Sequence, residues 1–268
     1  MKPFYFGEST RPLFGVYDVP EPGADRDAGF LLCYPMCHEY MKTHWAFRRL
    51  AASLARAGFH VLRFDYYGSG DSAGETCHVS LAECRDNIRT AMQELKDLSA
   101  VRDVSIVGLR LGATLAAQAS AEGLELKDLV LWNPVVRGAD YIRDLRALQQ
   151  ERLRWQDERG PGGTCDDDDA QQVLLGFPFP ADFREELGRL DLLSVCAGIR
   201  AKTVWLALSE QRGEYIQVQD AISRAGLAVK YQLVPDSGNW EDLFTWGGSL
   251  LMTSMPQEIS NMLCGGRS

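Results

Sequence analysis

The chain reads as an α/β protein built on a mostly parallel, doubly wound sheet, and two observations predict it. Short apolar runs of strand length recur along the sequence, bounded by glycine, proline or polar residues. Segments with helical spacing fill the intervals between them, the alternation that a parallel sheet with covering helices requires. No internal repeat divides the 268 residues, and one domain with a modest insertion fits that length.

Taken in order, residues 14–19 predict an early antiparallel strand, ended by Pro20-Glu21-Pro22-Gly23. Residues 29–34 are a buried strand stopped by Pro35. Phe47, Leu50, Ala51 and Leu54 place a helix over 45–57, which Gly58 terminates. Residues 60–65 form the next strand. Ser80 followed by Glu83 is a capping box opening a helix to about Leu98. Strands follow at 104–107 and 126–132, and again at 203–208 and 228–234. Residues 137–193 break the rhythm. They hold a helix at about 141–159, a Gly160-Pro161-Gly162-Gly163 break and the run Asp166 to Asp169, which reads as a solvated loop without the pattern of a calcium loop. The expected domain plan is a core of 1–136 and 194–268 with a helical lid at 137–193. Ligands in such sheets bind beyond the carboxyl ends of the strands.

Composition narrows the function classes. A net charge of −9 argues against nucleic acid or an anionic membrane as the main partner. No apolar run approaches a membrane span, and Met1 to Gly7 lacks the apolar core of a secretory signal. Seven scattered cysteines read as reduced thiols, so a cytoplasmic setting is expected.

The most telling segment is Gly108-Leu109-Arg110-Leu111-Gly112, which joins the strand at 104–107 to a small-residue helix at Ala113 to Ala117. A strand, a glycine-flanked turn and a helix usually present a nucleophilic hydroxyl as G-x-S-x-G. Here the tip is Arg110, a permanent cation and no nucleophile. With Cys33-Tyr34-Pro35, Glu39-Tyr40, Gly58 to Asp65, Tyr67 to Ser72 and Leu131 to Pro134, this segment resembles the α/β-hydrolases of the serine-aminopeptidase-like group. The closer resemblance is to exosortase A system-associated hydrolases, over roughly Gly29 to Pro134.

The resemblance implies a Ser-His-acid triad and an oxyanion hole of backbone N–H groups. Arg110 stands at the Ser position. The His position falls in Val234 to Glu241, which reads Gly238-Asn239, and all four histidines lie within the first third of the chain. The acid position falls at Ser209-Glu210, and the alternative acid position holds Asn133. Arg110 at a helix N-terminus calls for an anion. Glu39 is the first internal candidate and Asp65 the second; an exogenous carboxylate or phosphate is the external one. Cys37-His38-Glu39 lines the expected pocket, and in an extended segment Cys37 and Glu39 face one way and His38 the other. Cys37 is a candidate nucleophile, needing a base such as His44 or Glu210, and His38 a candidate general acid or base.

The candidate catalytic set is therefore Arg110, His38, Cys37, Glu39 and Glu210, and the candidate binding set is Met36, Leu111, Asn133, Asn239 and Trp240. Trp240, Phe244 and Trp246 fit a core role as well. His60 and His78 read as structural. His38, His44 and a cysteine have no recognised zinc spacing, and Gly68, Gly70 and Gly74 do not match G-x-G-x-x-G, so no metal and no cofactor is expected. The expected partner is a small acyl- or carboxylate-bearing molecule; a homodimer or a carrier-protein partner stays open. Two functions compete. One is non-classical chemistry on an acyl, ester or thioester substrate. The other is an inactive relative that binds an anionic ligand or a protein.

Overall fold

The computed structural model describes residues 1–157, 173–235 and 254–265. Its centre is an eight-stranded sheet. The strands are β1 (Lys2–Phe6), β2 (Leu13–Asp18), β3 (Ala28–Cys33), β4 (His60–Phe64), β5 (Asp103–Leu109), β6 (Leu126–Trp132), β9 (Ala201–Leu208) and β10 (Ala228–Leu233), in the order β1-β2-β4-β3-β5-β6-β9-β10. β1 and β2 pair antiparallel, as do β2 and β4; every other pairing in this sheet is parallel. The predicted mostly parallel sheet is therefore present. β1 was not predicted, because its alternation is short and lies at the very edge of the sheet.

Central strands β3 and β5 are almost wholly buried, as expected for strands with helices on both faces. The helices are α1 (Cys37–Arg56), α2 (Leu81–Ser99), α3 (Leu111–Ala121), α4 (Gly138–Asp157), α5 (Ala181–Gly188), α6 (Leu192–Val195), α7 (Gly213–Arg224) and α8 (Ser254–Cys264). Half of the predicted capping box of α2 is observed: the Ser80 side chain accepts from the Glu83 N–H at 3.1 Å, while the Glu83 carboxylate accepts from Asn87 Nδ2 and pairs with Arg11. α1 begins eight residues earlier than the apolar spacing indicates. Pro35 ends β3, Met36 is extended, and the polar stretch from Cys37 continues into the helix with Thr43 fully buried.

Between β6 and β9 the chain forms α4, a short hairpin of β7 (Val173–Leu174) and β8 (Phe177–Pro178), then α5 and α6. It leaves and rejoins the sheet at one point, where Arg137 bridges Asp191 and the Leu192 N–H donates to Val136 O at 2.8 Å. Gly138 is needed there: a Cβ would sit 1.6 Å from Leu187 O. The acidic run 166–169 and the candidates Asn239 and Trp240, with Phe244 and Trp246, lie outside the described residues.

Candidate functional site

The carboxyl ends of β3, β5, β6 and β9 lie in register across the sheet centre, with Cys33 opposite Gly108, Leu109 opposite Trp132, and Trp132 opposite Ala207. The residues that follow these strands meet above them. Arg110 is the turn between β5 and α3, with φ +53° and ψ −121°. Such a conformation costs a non-glycine residue about 1–3 kcal/mol, so the surroundings must impose it. They do. The Arg110 N–H donates to Trp132 O at 2.9 Å, and its carbonyl accepts from Ala113 at 3.1 Å and Val135 at 3.3 Å. Gly112 lets α3 press on the β3 end: a Cβ there would lie 2.2 Å from Tyr34 O and 2.5 Å from Cys33 O.

The Arg110 side chain meets an internal carboxylate. Its Nε donates to Glu39 Oε1 at 2.9 Å, and Tyr141 Oη donates to Glu39 Oε2 at 2.9 Å. The guanidinium carbon lies 5.3 Å from the centre of the Tyr141 ring, and Nη1 donates to Asn133 O at 3.4 Å. Glu39 is 2% exposed and Arg110 is 15% exposed, so this is a largely desolvated pair. Burial works against the charge of Arg110, but Glu39, Tyr141 and Tyr215 outweigh it, and the guanidinium is held upward of its ordinary value.

Glu39 is thus the partner of Arg110, and Asp65 is not. Asp65 accepts from Tyr40 Oη at 2.8 Å and from the Asp71 N–H at 3.0 Å, closing the loop after β4. The extended reading of Cys37-His38-Glu39 also gives way. These residues open α1, with Cys37 in the left-handed region at φ +55°, so the alternation of an extended segment does not hold. Glu39 turns onto Arg110, while His38 is buried with neither ring nitrogen hydrogen-bonded among the described residues. Burial pulls His38 downward, toward the neutral form. Burial, reinforced by Glu39, pushes the Cys37 thiol up to about 12. His44 stacks on Tyr34, with ring centres 6.2 Å apart.

The other candidates divide between two cavities. Glu39, Arg110, Asn133 and Glu210 line a cavity of about 30 Å³ with Tyr141, Arg212 and Tyr215. That is room for about two water molecules or one small polar group. Glu210 accepts from Arg212 Nε at 2.6 Å. Asn133, at φ +42°, donates to Ser209 Oγ and accepts from the Ser209 N–H, both at 2.9 Å, which ties the ends of β6 and β9 together. Met36 and Cys37 line a second cavity of about 80 Å³ with Tyr40, Tyr66, Phe177 and Phe183. Leu111 is buried and lines neither cavity. Tyr141, Arg212 and Tyr215 escaped the sequence reading. No motif marks them; only the packing of α4 and α7 over the strand ends brings them in.

The sheet order and the strand–turn–helix at its centre define the α/β-hydrolase fold. Residues 34–173, just over half of the chain, match the serine aminopeptidase family (S33), and the chain belongs to that family. No curated protein sequence matches it. Among solved structures it is similar to the esterase Est1E from Butyrivibrio proteoclasticus, at 12% identity and a TM-score of 0.66 over 98% of this chain and 96% of that one. Alpha/beta hydrolase domain-containing protein 10 from mouse matches at 16% identity and a TM-score of 0.61, covering 98% and 97%. Proline iminopeptidase from Mycobacterium smegmatis matches at 13% identity and a TM-score of 0.63, again covering 98% and 97%. Likeness at these identities establishes the fold. Among the described residues, no helix is long and apolar enough to cross a membrane.

Proposed function

We propose that this protein is an S33-family relative that has given up Ser-hydrolase chemistry and binds a small carboxylate- or acyl-bearing molecule beside Arg110. One observation carries the reading. The tip of the strand–turn–helix, where the resemblance places a nucleophile, is a guanidinium tied to a buried carboxylate and covered by the Tyr141 ring. A guanidinium cannot attack a carbonyl, and the Glu39 carboxylate beside it is already hydrogen-bonded through both oxygens, to Arg110 and to Tyr141.

The remaining candidates support the same reading. A thiol at about 12 is protonated at neutral pH, which argues against Cys37 as nucleophile. Glu210 spends its charge on Arg212. In this reading the described parts of the insertion between β6 and β9 serve as a lid, and Tyr141 of α4 joins it to the Arg110–Glu39 pair. A carboxylate head matches the 30 Å³ cavity in size, with Arg110 and Arg212 on its wall as guanidinium donors.

The test is a panel of acyl esters and thioesters, with wild type, Arg110→Ser and Arg110→Ala assayed together, and short carboxylates titrated by NMR. Turnover at background for all three is expected, because Arg110→Ser restores a hydroxyl without a base. Saturable carboxylate binding is expected for wild type and should weaken in Arg212→Gln. Wild-type turnover that Arg110→Ala abolishes would overturn the proposal, and so would the absence of any saturable carboxylate.

A further inference from the structure

The loop after β4 brings together three side chains of metal-binding type. Glu75, Cys77 and His78 each offer one ligand atom, these atoms all lie within 4.8 Å of one another, and all three residues are exposed. Glu75 is extended, and Thr76–His78 form one turn of 3₁₀ helix. We propose that this turn is a binding site for a divalent transition metal of the zinc type, with three protein ligands and an open fourth position.

The donor set makes the choice of metal. A thiolate and an imidazole favour zinc, cobalt and their neighbours over magnesium and calcium, which take oxygen ligands. One thiolate and one carboxylate neutralise a dication. Bonds of about 2.0–2.3 Å in a tetrahedron put ligand atoms about 3.3–3.6 Å apart. From separations of up to 4.8 Å the ligand atoms would have to close by about 1–1.5 Å, a movement of the size that rotation of three exposed side chains supplies.

The backbone is already held for the purpose. The His78 N–H donates to Glu75 O at 2.9 Å, and Thr76 Oγ1 donates to Gly68 O at 3.0 Å. Gly68, at φ +76°, permits the contact: a Cβ there would lie 2.6 Å from Glu75 O. Ordering the loop therefore costs little on binding. The Cys77 thiol donates to Glu75 Oε2 at 3.7 Å. Metal binding replaces that contact: the S–H bond breaks, the proton leaves to solvent, and the sulfur lone pair forms the metal bond. Thr76 also lines the 80 Å³ cavity, so the site stands beside it.

The experiment is a titration of chelator-treated full-length protein with Co²⁺, read in the near ultraviolet and visible. One equivalent should give a thiolate-to-cobalt charge-transfer band with tetrahedral d–d bands, and Zn²⁺ should displace both while Mg²⁺ does not. Cys77→Ser should remove the charge-transfer band, and His78→Ala should weaken binding by about tenfold or more. Cys165→Ser, altering a cysteine outside the described residues, should leave the spectrum unchanged. No saturable band, an undiminished band in Cys77→Ser, or loss of the band in Cys165→Ser would overturn the site. The readout involves no turnover and no carboxylate, so failure here is distinct from failure of the proposed function.

Discussion

Glu39→Gln is the sharpest probe of this structure. The change keeps the shape of the side chain and an acceptor for Arg110 Nε, removes the counter-charge, and turns the acceptor facing Tyr141 Oη into an N–H donor to that hydroxyl oxygen. Arg110 then remains a cation at 15% exposure, at the N-terminus of α3, where the helix dipole is already unfavourable to it. Opposite charges about 4 Å apart attract by about 4 kcal/mol at an effective dielectric of about 20. Removing one member of a buried pair typically costs about 3–5 kcal/mol, because the other charge is stranded. The two figures agree. For a chain of this size they correspond to a fall in Tm on the order of 10 °C. The assay is urea unfolding of wild type, Glu39→Gln, Arg110→Met and the double variant. Each single change should cost about 3–5 kcal/mol, and the double variant should cost less than the sum by about 2 kcal/mol or more. A Glu39→Gln protein within about 1 kcal/mol of wild type, or strictly additive losses, would refute the argument.

Two other outcomes follow from burial. His38 is held neutral, with its folded value below the unfolded one of about 6.5, so the unfolded chain takes up the proton first. Its contribution to stability is therefore full above about pH 6.5 and is lost as pH falls through the folded value. Asp65, raised by burial, acts in the opposite direction and is common to both proteins compared. His38→Leu should flatten the acid-side fall in unfolding free energy, and an identical slope in the two proteins would count against a neutral, buried His38. For the thiols, Cys77 is exposed while Cys37 is pushed up to about 12. At pH 7.5, alkylation of the metal-free protein mapped by mass spectrometry should label the exposed Cys77 faster than Cys37 by about tenfold or more. Comparable rates would restore Cys37 as a candidate nucleophile.

Local patterns in the sequence were enough for the sheet and for the elbow, and the reason is physical. The apolar runs that became β3, β5 and β6 can be buried only between layers of helices. Gly108 and Gly112 mark a place where backbones approach too closely for a Cβ, and that constraint is written at single positions. Ser80 and Glu83 interact across three residues, so the start of α2 was equally readable. β1 and the first half of α1 were not. The former is a short edge strand, and the latter replaces apolar spacing with polar residues whose burial comes from distant parts of the chain.

The site divides along the same line. The presence of Arg110 at the turn, its demand for an anion and Glu39 as a partner all follow from residue chemistry and the resemblance. The choice of Glu39 over Asp65 depended on where α1 begins, because that sets which way the carboxylate points. Tyr141 and Arg212 were invisible for a related reason. Contacts of this kind form between side chains that packed helices bring together from distant parts of the chain, and nothing in their own neighbourhoods records it. The sequence by itself determined the scaffold and the charge at the tip of its turn; only the tertiary structure decided which groups answer that charge, because a contact between Glu39 and Tyr141, a hundred residues apart, exists only once the sheet has placed their helices side by side.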